Sequence, residues 1–232
     1  MKFTFGVITT DESNPQVRRI VDSIRNMYLL HKDDYEIIIV GGKNHIKERD
    51  LTIIPFDEQV RRAWITKKKN VITSLAKYEN IVYMHDYICP SSNWRAGFEV
   101  FGDKFDVCMT PIINTDGTRY RDWSLWWDDD SLLAKHYDRL IPYTVTDMSK
   151  SMYFSGAYWV AKRGVMEAVP LDESLSWGQS EDVVWSKKVR ENHQFSINVH
   201  SPVDMLKYKN RVYTEISPAK LQKIRSLSDR IK

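Results

Sequence analysis

The chain has 232 residues, of which 42% are hydrophobic, so we expect one α/β domain with a sizeable core, or one domain with an appendage, and no disorder over most of the length. Its 34 basic and 31 acidic residues give a net charge of +3, which is too balanced for a nucleic-acid-binding protein. No apolar stretch approaches the roughly 18 residues of a transmembrane helix, and no signal peptide is recognisable. Two cysteines without metal-ligand spacing indicate free thiols, with one disulfide bridge as the alternative, and we expect a cytoplasmic protein.

The first half of the chain alternates between strand and helix patterns. Short apolar runs that end in turn residues predict buried strands at 3–8, 36–40, 53–55 and 81–85. A helix is predicted to begin at Pro15, after a capping residue, and a second helix covers 66–78. The second helix is predicted to turn Val71, Ile72, Leu75 and Ala76 inward. This alternation predicts a mostly parallel, Rossmann-like sheet flanked by helices.

The second half is less regular. Strands are predicted at 107–113, 156–162 and 195–200, and a helix with an acidic first turn at 180–192. Between them, residues 114–130 are turn-rich, polar and aromatic. The chain ends in a basic, amphipathic segment that begins at Ser217.

His85-Asp86-Tyr87 closes the apolar run at 81–84. The carboxyl ends of strands are where open α/β sheets bind their ligands. Carboxylates and imidazoles also ligate divalent cations, and phosphate oxygens can complete the shell. We interpret the triplet as a candidate site for a cation and a phosphorylated ligand, with a polar turn as the alternative. His200, at the end of a predicted strand, is a second candidate ligand, or a histidine bonded to the backbone.

Glu181 and Asp182 stand at the start of a predicted helix, between Trp177 and Trp185. A carboxylate at this position can remove a proton from a substrate hydroxyl, although acidic residues also stabilise helix N-termini. Tryptophan faces stack on sugar rings, but tryptophans are also common in cores. We interpret the pair as a candidate general base.

Two further clusters are ambiguous. Trp123, Trp126 and Trp127, followed by three aspartates, indicate either a flap over a ligand or a surface used for association. The run Lys67-Lys68-Lys69 either meets a diphosphate or forms a solvated helix face. The glycines form neither a dinucleotide-binding fingerprint nor a P-loop.

The order of these parts, with the segments IVYMHDYICP, SGAYWVAKR, GQSEDVVWSKKVRE and NVHSP, resembles nucleotide-sugar glycosyltransferases of the GT-A fold and is similar to glycosyltransferase family 2. The resemblance covers residues 3–202. It implies a single GT-A domain at 1–202, with a nucleotide-sugar-binding half at 1–90 and an acceptor-binding, catalytic half at 91–202. Residues 203–232 are then a basic tail or linker helix.

In that family an Asp-x-Asp segment binds a divalent cation and the ribose-diphosphate of the donor. His85, Asp86 and Tyr87 align with it here. The resemblance therefore implies that Asp86 and His200 bind Mn²⁺ or Mg²⁺. The residues implied to bind the donor are Thr9, Thr10, Gly41, Asp57, Arg62, Lys68, Asn70, His85, Asp86 and Tyr87.

The implied reaction moves a sugar from a nucleotide-diphosphate donor, with UDP favoured, to a hydroxyl of a glycan or glycoconjugate, with inversion. Asp182 is the implied base and Glu181 its neighbour, and the implied sugar or acceptor contacts are Trp177, Gly178, Trp126 and Trp127. Three alternatives stay open: a retaining enzyme, a nucleotidyltransferase of related fold, and an inactive sugar- or nucleotide-binding module. Peripheral membrane contact through the tail and membership of a larger polypeptide also stay open.

Overall fold

The structure is a computed structural model that describes residues 1–125, 138–209 and 213–228. The helices in these ranges are α1 (Pro15–Met27), α2 (Ile65–Leu75), α3 (Trp94–Phe101), α4 (Arg163–Ala168), α5 (Glu181–Val189) and α6 (Pro218–Ser228). The strands are β1 (Phe3–Ile8), β2 (Tyr35–Val40), β3 (Ile46–Lys47), β4 (Leu51–Ile54), β5 (Asn80–His85), β6 (Ile88–Pro90), β7 (Val107–Met109), β8 (Ile112–Ile113), β9 (Ser124–Leu125), β10 (Asp138–Leu140), β11 (Met152–Tyr153), β12 (Tyr158–Lys162), β13 (Phe195–Ile197), β14 (Val203–Met205) and β15 (Thr214–Glu215).

The largest sheet has the strand order β13-β7-β12-β5-β1-β2-β4-β3. Strand β1 pairs in parallel with both β2 and β5, so Ile8 lies between Val40 and His85 at one edge of the sheet. Strand β12 runs antiparallel between β5 and β7, and β3 runs antiparallel to β4. The predicted Rossmann-like half is confirmed, within a sheet that is mixed overall.

The central strand β1 is buried along its whole length because helices cover both of its faces. On one face, the rings of Phe3 and Phe5 lie 5.0 and 5.2 Å from that of Trp94 in α3. On the other face, Gly6 lets α2 approach so closely that a Cβ there would lie 2.4 Å from Ile72. These contacts hold the sheet and both helices in one core.

The buried face of α2 differs from the prediction. Ile72 and Ala76 are buried as expected, but Leu75 is 47% exposed, whereas Lys68 and Lys69 are buried. A lysine can bury its aliphatic stem when its ammonium group reaches an acceptor, and both lysines do so at the carboxyl edge of the sheet. Lys68 and Lys69 are therefore not part of a solvated helix face, whereas Lys67 is partly exposed.

The chain after residue 202 belongs to the structure around that edge. Strand β14 is the centre of a three-stranded sheet, between β6 and β8. The next residue, Leu206, donates its backbone N–H to the Tyr87 carbonyl at 2.8 Å. The expected domain boundary after residue 202 therefore cuts through a sheet, because strand pairing between distant segments is not visible in a local pattern.

Other elements differ from the prediction in their bounds. The predicted strand at 107–113 is divided at Pro111, whose nitrogen has no proton to donate to a strand ladder. The predicted strand at 195–200 ends at Ile197, and Val199 is 42% exposed. The terminal amphipathic segment forms α6, which buries Leu221 and Ile224. Within the described ranges, no helix has the length and apolar character of a membrane span.

Candidate active site

A cavity of about 310 Å³ opens at the carboxyl ends of β1 and β5. This is the edge at which parallel α/β sheets bind ligands, because the polar turns after adjacent strands meet there. Its wall is built from the turns after both strands, from α2, from the loop before α5 and from the segment after β14. The residues lining it that the sequence singled out are Thr9, Thr10, Lys68, His85, Asp86, Tyr87 and Trp177.

Asp86 is held in place from two sides. Its backbone N–H donates to the Ile8 carbonyl at 3.1 Å, which extends the pairing of β5 with β1 by one residue. Its Oδ2 accepts the hydroxyl proton of Thr9 at 2.8 Å. The turns after two adjacent strands are thereby joined, and the partly exposed carboxylate faces the cavity in a defined orientation.

Lys68 organises the floor of the cavity. Its ammonium group donates to the Thr9 carbonyl at 2.5 Å and pairs with Glu58. The other oxygen of Glu58 accepts the backbone N–H of Ala63 at 2.9 Å. Ala63 has a φ of 53°, a left-handed conformation that is costly for alanine, and this bond helps to hold it. Because Glu58 offsets the charge of Lys68, we infer that this lysine mainly holds the Thr9 carbonyl and the Glu58 side chain in place.

Gly41 lies directly behind Thr9. Its φ is 138°, and a Cβ at this position would lie 1.9 Å from the Thr9 carbonyl oxygen. Only glycine combines this conformation with so close an approach. Gly41 therefore supports Thr9, and it does not line the cavity.

The predicted base pair lies at the first turn of α5, and both carboxylates are buried. Oδ2 of Asp182 accepts the Gly156 N–H at 2.8 Å and lies 3.7 Å from Arg121. Its Oδ1 accepts the Val183 N–H at 2.9 Å. Burial raises the pKa of Glu181, and the charge of Asp182 raises it further. Such a shift moves a carboxylate toward the range in which it exchanges protons near neutral pH.

Lys69 faces the same pair from α2. Its ammonium group is fully buried, donates to the Gly156 carbonyl at 2.7 Å and lies 4.1 Å from the Trp159 ring. Burial lowers the pKa of Lys69 to about 8, against the opposing effect of Glu181 and Asp182. The Gly156 peptide is thus held between the lysine and Asp182.

His85 lies between the two groups of charges. Burial lowers the pKa of its imidazole well below the usual value, and Lys69, Lys209 and Lys207 lower it further. The ring hydrogen-bonds to the Gly156 backbone and lies 5.2 Å from the ring of Tyr87. His85 is therefore neutral at physiological pH and adds no positive charge to the cavity.

Besides Gly41, three predicted donor residues do not line the cavity. Asn70 ties α2 to the loop before α5 through the Leu171 carbonyl, at 2.9 Å, and Glu173. Asp57 accepts the backbone N–H of Gln59 at 2.8 Å and is exposed, as is Arg62. From these positions we infer that the three side chains stabilise the neighbouring loops.

The predicted sugar contacts divide into two groups. Trp177 is 68% exposed at the mouth of the cavity, and its backbone N–H donates to the Ala63 carbonyl at 3.1 Å. Gly178 follows it with a φ of 84°. Trp126 and Trp127 lie outside the described residues. The structure thus places one of the three predicted tryptophan contacts at the cavity.

The side chains around Asp86 do not fit the predicted cation site. Strands β6 and β14 pair antiparallel. Because Asp86 precedes β6 and His200 precedes β14, the two residues lie at opposite ends of this pairing. There the His200 carbonyl packs against Gly97 of α3. Across the described residues, no group of three His, Cys, Asp or Glu side chains is assembled for a metal. The structure does not bring His200 to Asp86, because the two residues lie at opposite ends of the β6–β14 pairing.

The lysines beside Tyr87 also disfavour a metal in this part of the cavity. Burial raises the pKa of the Tyr87 phenol, and its oxygen accepts a hydrogen bond from the Lys209 ammonium group at 2.6 Å. The ammonium groups of Lys207 and Lys209 lie 4.1 and 4.2 Å from the Tyr87 ring. A hard cation requires oxygen ligands and is repelled by adjacent positive charges. No chemical step below is therefore assigned to a metal.

Four functional candidates were missed by sequence reasoning: Lys69, Arg121, Lys207 and Lys209. Lys69 was part of a run for which contact with a diphosphate and a solvated helix face both stayed open, and its burial beside Glu181 and Asp182 was not expected. Arg121 directly precedes the tryptophan cluster interpreted as a flap or an association surface, and its Nε is buried without a hydrogen-bond partner among the described residues. The other two belonged to the presumed tail. Only the spacing of two lysines around one residue, in KYK, could have drawn attention to that segment.

No protein-family model matches the chain, and no curated protein matches it either. Solved structures do. S. aureus TarS 1-349 in complex with UDP-GlcNAc has a TM-score of 0.61 and 13% identity, over 98% of this chain and 65% of that one. GalNAc-T7 with UDP, GalNAc and Mn²⁺ has a TM-score of 0.62 and 15% identity, over 94% of this chain and 46% of that one.

This chain therefore spans less than two thirds of the length of either structure. Both are glycosyltransferases of the GT-A type. At such low identity the likeness concerns the fold, and it agrees with the mostly parallel sheet and with the position of the cavity at its carboxyl edge. The chain has the GT-A fold.

Proposed function

We propose that this protein is a glycosyltransferase that moves a sugar from a nucleoside-diphosphate donor, UDP being the first candidate, to a hydroxyl group of a glycan or glycoconjugate. The observation that carries the proposal is the position of Asp86. It is fixed by Thr9 at the carboxyl edge of a GT-A sheet, facing a cavity, with two buried carboxylates at the start of α5. The UDP and UDP-GlcNAc complexes of the two similar structures support the choice of donor.

The nucleoside lies against the turn after β1. Thr9 and Thr10 line this part of the cavity, and the Asp86 carboxylate accepts hydrogen bonds from the ribose hydroxyls. Trp177 covers the open side and presents its ring to a sugar face. The diphosphate then extends toward Tyr87, and the anomeric carbon toward the first turn of α5.

Transfer is a direct displacement with inversion. A carboxylate of the Glu181–Asp182 pair takes the proton of the acceptor hydroxyl, and the oxygen attacks the anomeric carbon. The bond from this carbon to the β-phosphate oxygen breaks, and its electron pair leaves with the nucleoside diphosphate. Asp182 is the proposed base, since Gly156 and Val183 orient it and Arg121 stabilises its charge.

The test is a panel of nucleotide sugars with protein alone and with simple sugar acceptors, read by released nucleoside diphosphate. We expect one donor to be hydrolysed slowly and consumed faster with an acceptor. Release of pyrophosphate from a nucleoside triphosphate and a sugar phosphate would instead identify a nucleotidyltransferase. Binding of a nucleotide sugar without turnover under any condition would identify a binding module.

The roles of the two carboxylates are separated by Asp182→Asn and Glu181→Gln. Loss of a positioned base lowers turnover about 100- to 10,000-fold, and we expect this for Asp182→Asn with nucleoside-diphosphate affinity nearly unchanged. A loss of the same size in Glu181→Gln alone would assign the base to Glu181. Loss of nucleotide binding in Asp182→Asn would contradict the assignment and place Asp182 in the donor site.

A further inference from the structure

The segment after β14 brings two lysines to the Asp86 turn. The backbone N–H of Leu206 donates a hydrogen bond to the Tyr87 carbonyl, so the next residues run alongside this turn and form part of the wall of the cavity. Lys207 and Lys209 are separated by one residue, and both reach the Tyr87 side chain. The placement depends on the pairing of β14 with β6 and not on a flexible tail.

Tyr87 holds the two ammonium groups together. Nζ of Lys207 lies 4.1 Å from the centre of its ring, and Nζ of Lys209 lies 4.2 Å from the ring and 2.6 Å from Oη. Lys209 also lies 5.3 Å from the Tyr120 ring. Aromatic faces attract ammonium groups and keep them charged without neutralising them as a carboxylate does. Both lysines are therefore ordered beside Tyr87, and Lys207 is still able to bind an anion.

The charges nearby leave this part of the cavity positive. Asp86 is the one carboxylate among the described residues that line it, while Lys68 is offset by Glu58. Lys207 forms no ion pair with any of the described side chains. Two like charges held within reach of one ring repel each other, and an anion between them relieves this repulsion.

We propose that Lys207 and Lys209 bind the diphosphate of the donor and stabilise the leaving group, in the role that the sequence resemblance assigned to a divalent cation. The inference rests on the proposed function. When the bond between the anomeric carbon and the β-phosphate oxygen breaks, the electron pair stays on that oxygen. The two ammonium groups stabilise the added negative charge through hydrogen bonds, without giving up a proton.

The test is calorimetric titration with uridine, UMP and UDP in the presence of EDTA and, separately, of Mn²⁺. We expect UDP to bind in EDTA. In Lys207→Gln and Lys209→Gln, UDP affinity is expected to fall about 10-fold each, the size of one charge-assisted hydrogen bond, while uridine affinity is unchanged. Lys209→Arg is expected to retain most of the affinity because it keeps the charge. The exposed Lys104, which does not line the cavity, provides the control Lys104→Gln.

The outcomes separate the inference from the function on which it rests. Binding of UDP that is abolished by EDTA, or equal UDP affinity in the wild type and both Gln variants, overturns the role of the lysines and leaves a metal-dependent glycosyltransferase. If UDP, GDP, CDP, ADP and dTDP all fail to bind with and without Mn²⁺, the proposed function fails as well. The thermal unfolding midpoint of each variant shows whether it has lost its fold. If Lys209→Gln does not fold, Lys209→Arg replaces it, and kcat is compared with and without EDTA. Only a kcat that does not depend on metal supports the inference.

Discussion

Lys69 offers the clearest link between the charges of the site and a measurable quantity. Its ammonium group is fully buried against Gly156 and Trp159, and burial lowers its pKa from 10.5 to about 8. The proposed perturbation is Lys69→Met, which keeps a similar length and removes the titrating group. The effect to measure is the free energy of unfolding as a function of pH.

The sign follows from proton binding in the two states. Below the folded pKa, Lys69 is protonated both in the folded and in the unfolded protein, and the folded state bears the cost of the buried charge. Between about 8 and 10.5, the unfolded chain holds the proton and the folded protein does not. The free energy of unfolding therefore rises with pH across this window, by about 2 kcal/mol between about pH 7 and about pH 9.5.

Urea unfolding of the wild type and Lys69→Met at several pH values gives this contribution as a difference. Other groups that titrate in both proteins cancel. The exposed Lys104 again supplies the control, since Lys104→Met is expected to keep the wild-type rise. If the wild-type and Lys69→Met curves stay parallel within about 0.5 kcal/mol, the buried charge that we infer for Lys69 is refuted.

The remaining predictions concern the donor side of the cavity. Asp86→Asn is expected to lower the affinity for uridine, UMP and UDP about equally, roughly 10-fold, because hydrogen bonds from the ribose hydroxyls to this carboxylate do not involve the phosphates. Calorimetry with the three ligands checks this prediction, and a loss of affinity confined to UDP would contradict it. Gly41→Ala is expected to lower the free energy of unfolding by about 3 kcal/mol or prevent folding, because its Cβ would overlap the Thr9 carbonyl oxygen. Gly117→Ala, with a φ of 79° and open space around the added Cβ, carries the backbone cost alone, about 1 kcal/mol, and equal destabilisation of the two variants would refute the steric argument.

The parts of the site that were predictable from sequence are those set by local pattern. Four apolar residues followed by His85 and Asp86 specify a buried strand and a polar turn, wherever the rest of the chain lies. The acidic first turn of α5 is local in the same way. The edge of the sheet on which these turns meet follows from the alternation of strands and helices, because parallel strands align their carboxyl ends.

The parts that were missed depend on contacts between distant segments. Lys68 and Lys69 can be buried because the carbonyl groups of Thr9 and Gly156 accept hydrogen bonds from their ammonium groups. Neither acceptor is near these lysines in the chain. His200 was expected at Asp86, but the pairing of β14 with β6 carries it to the other end of the small sheet. The same pairing brings Lys207 to the cavity. A local pattern indicates that a strand exists and says nothing about which end of it reaches a site.

The positions of the charged side chains also match the movement of charge in the proposed displacement. Displacement removes a proton at the acceptor and places negative charge on the leaving phosphate, so a base is required on one side of the anomeric carbon and positive charge on the other. The structure has carboxylates at the first turn of α5 and ammonium groups at Tyr87, and the neutral His85 lies between them. A protonated imidazole there would weaken the base and attract the diphosphate to the wrong position. The neutral His85 adds no charge of its own, so variants on the lysine side should change donor affinity while variants at the carboxylates change transfer.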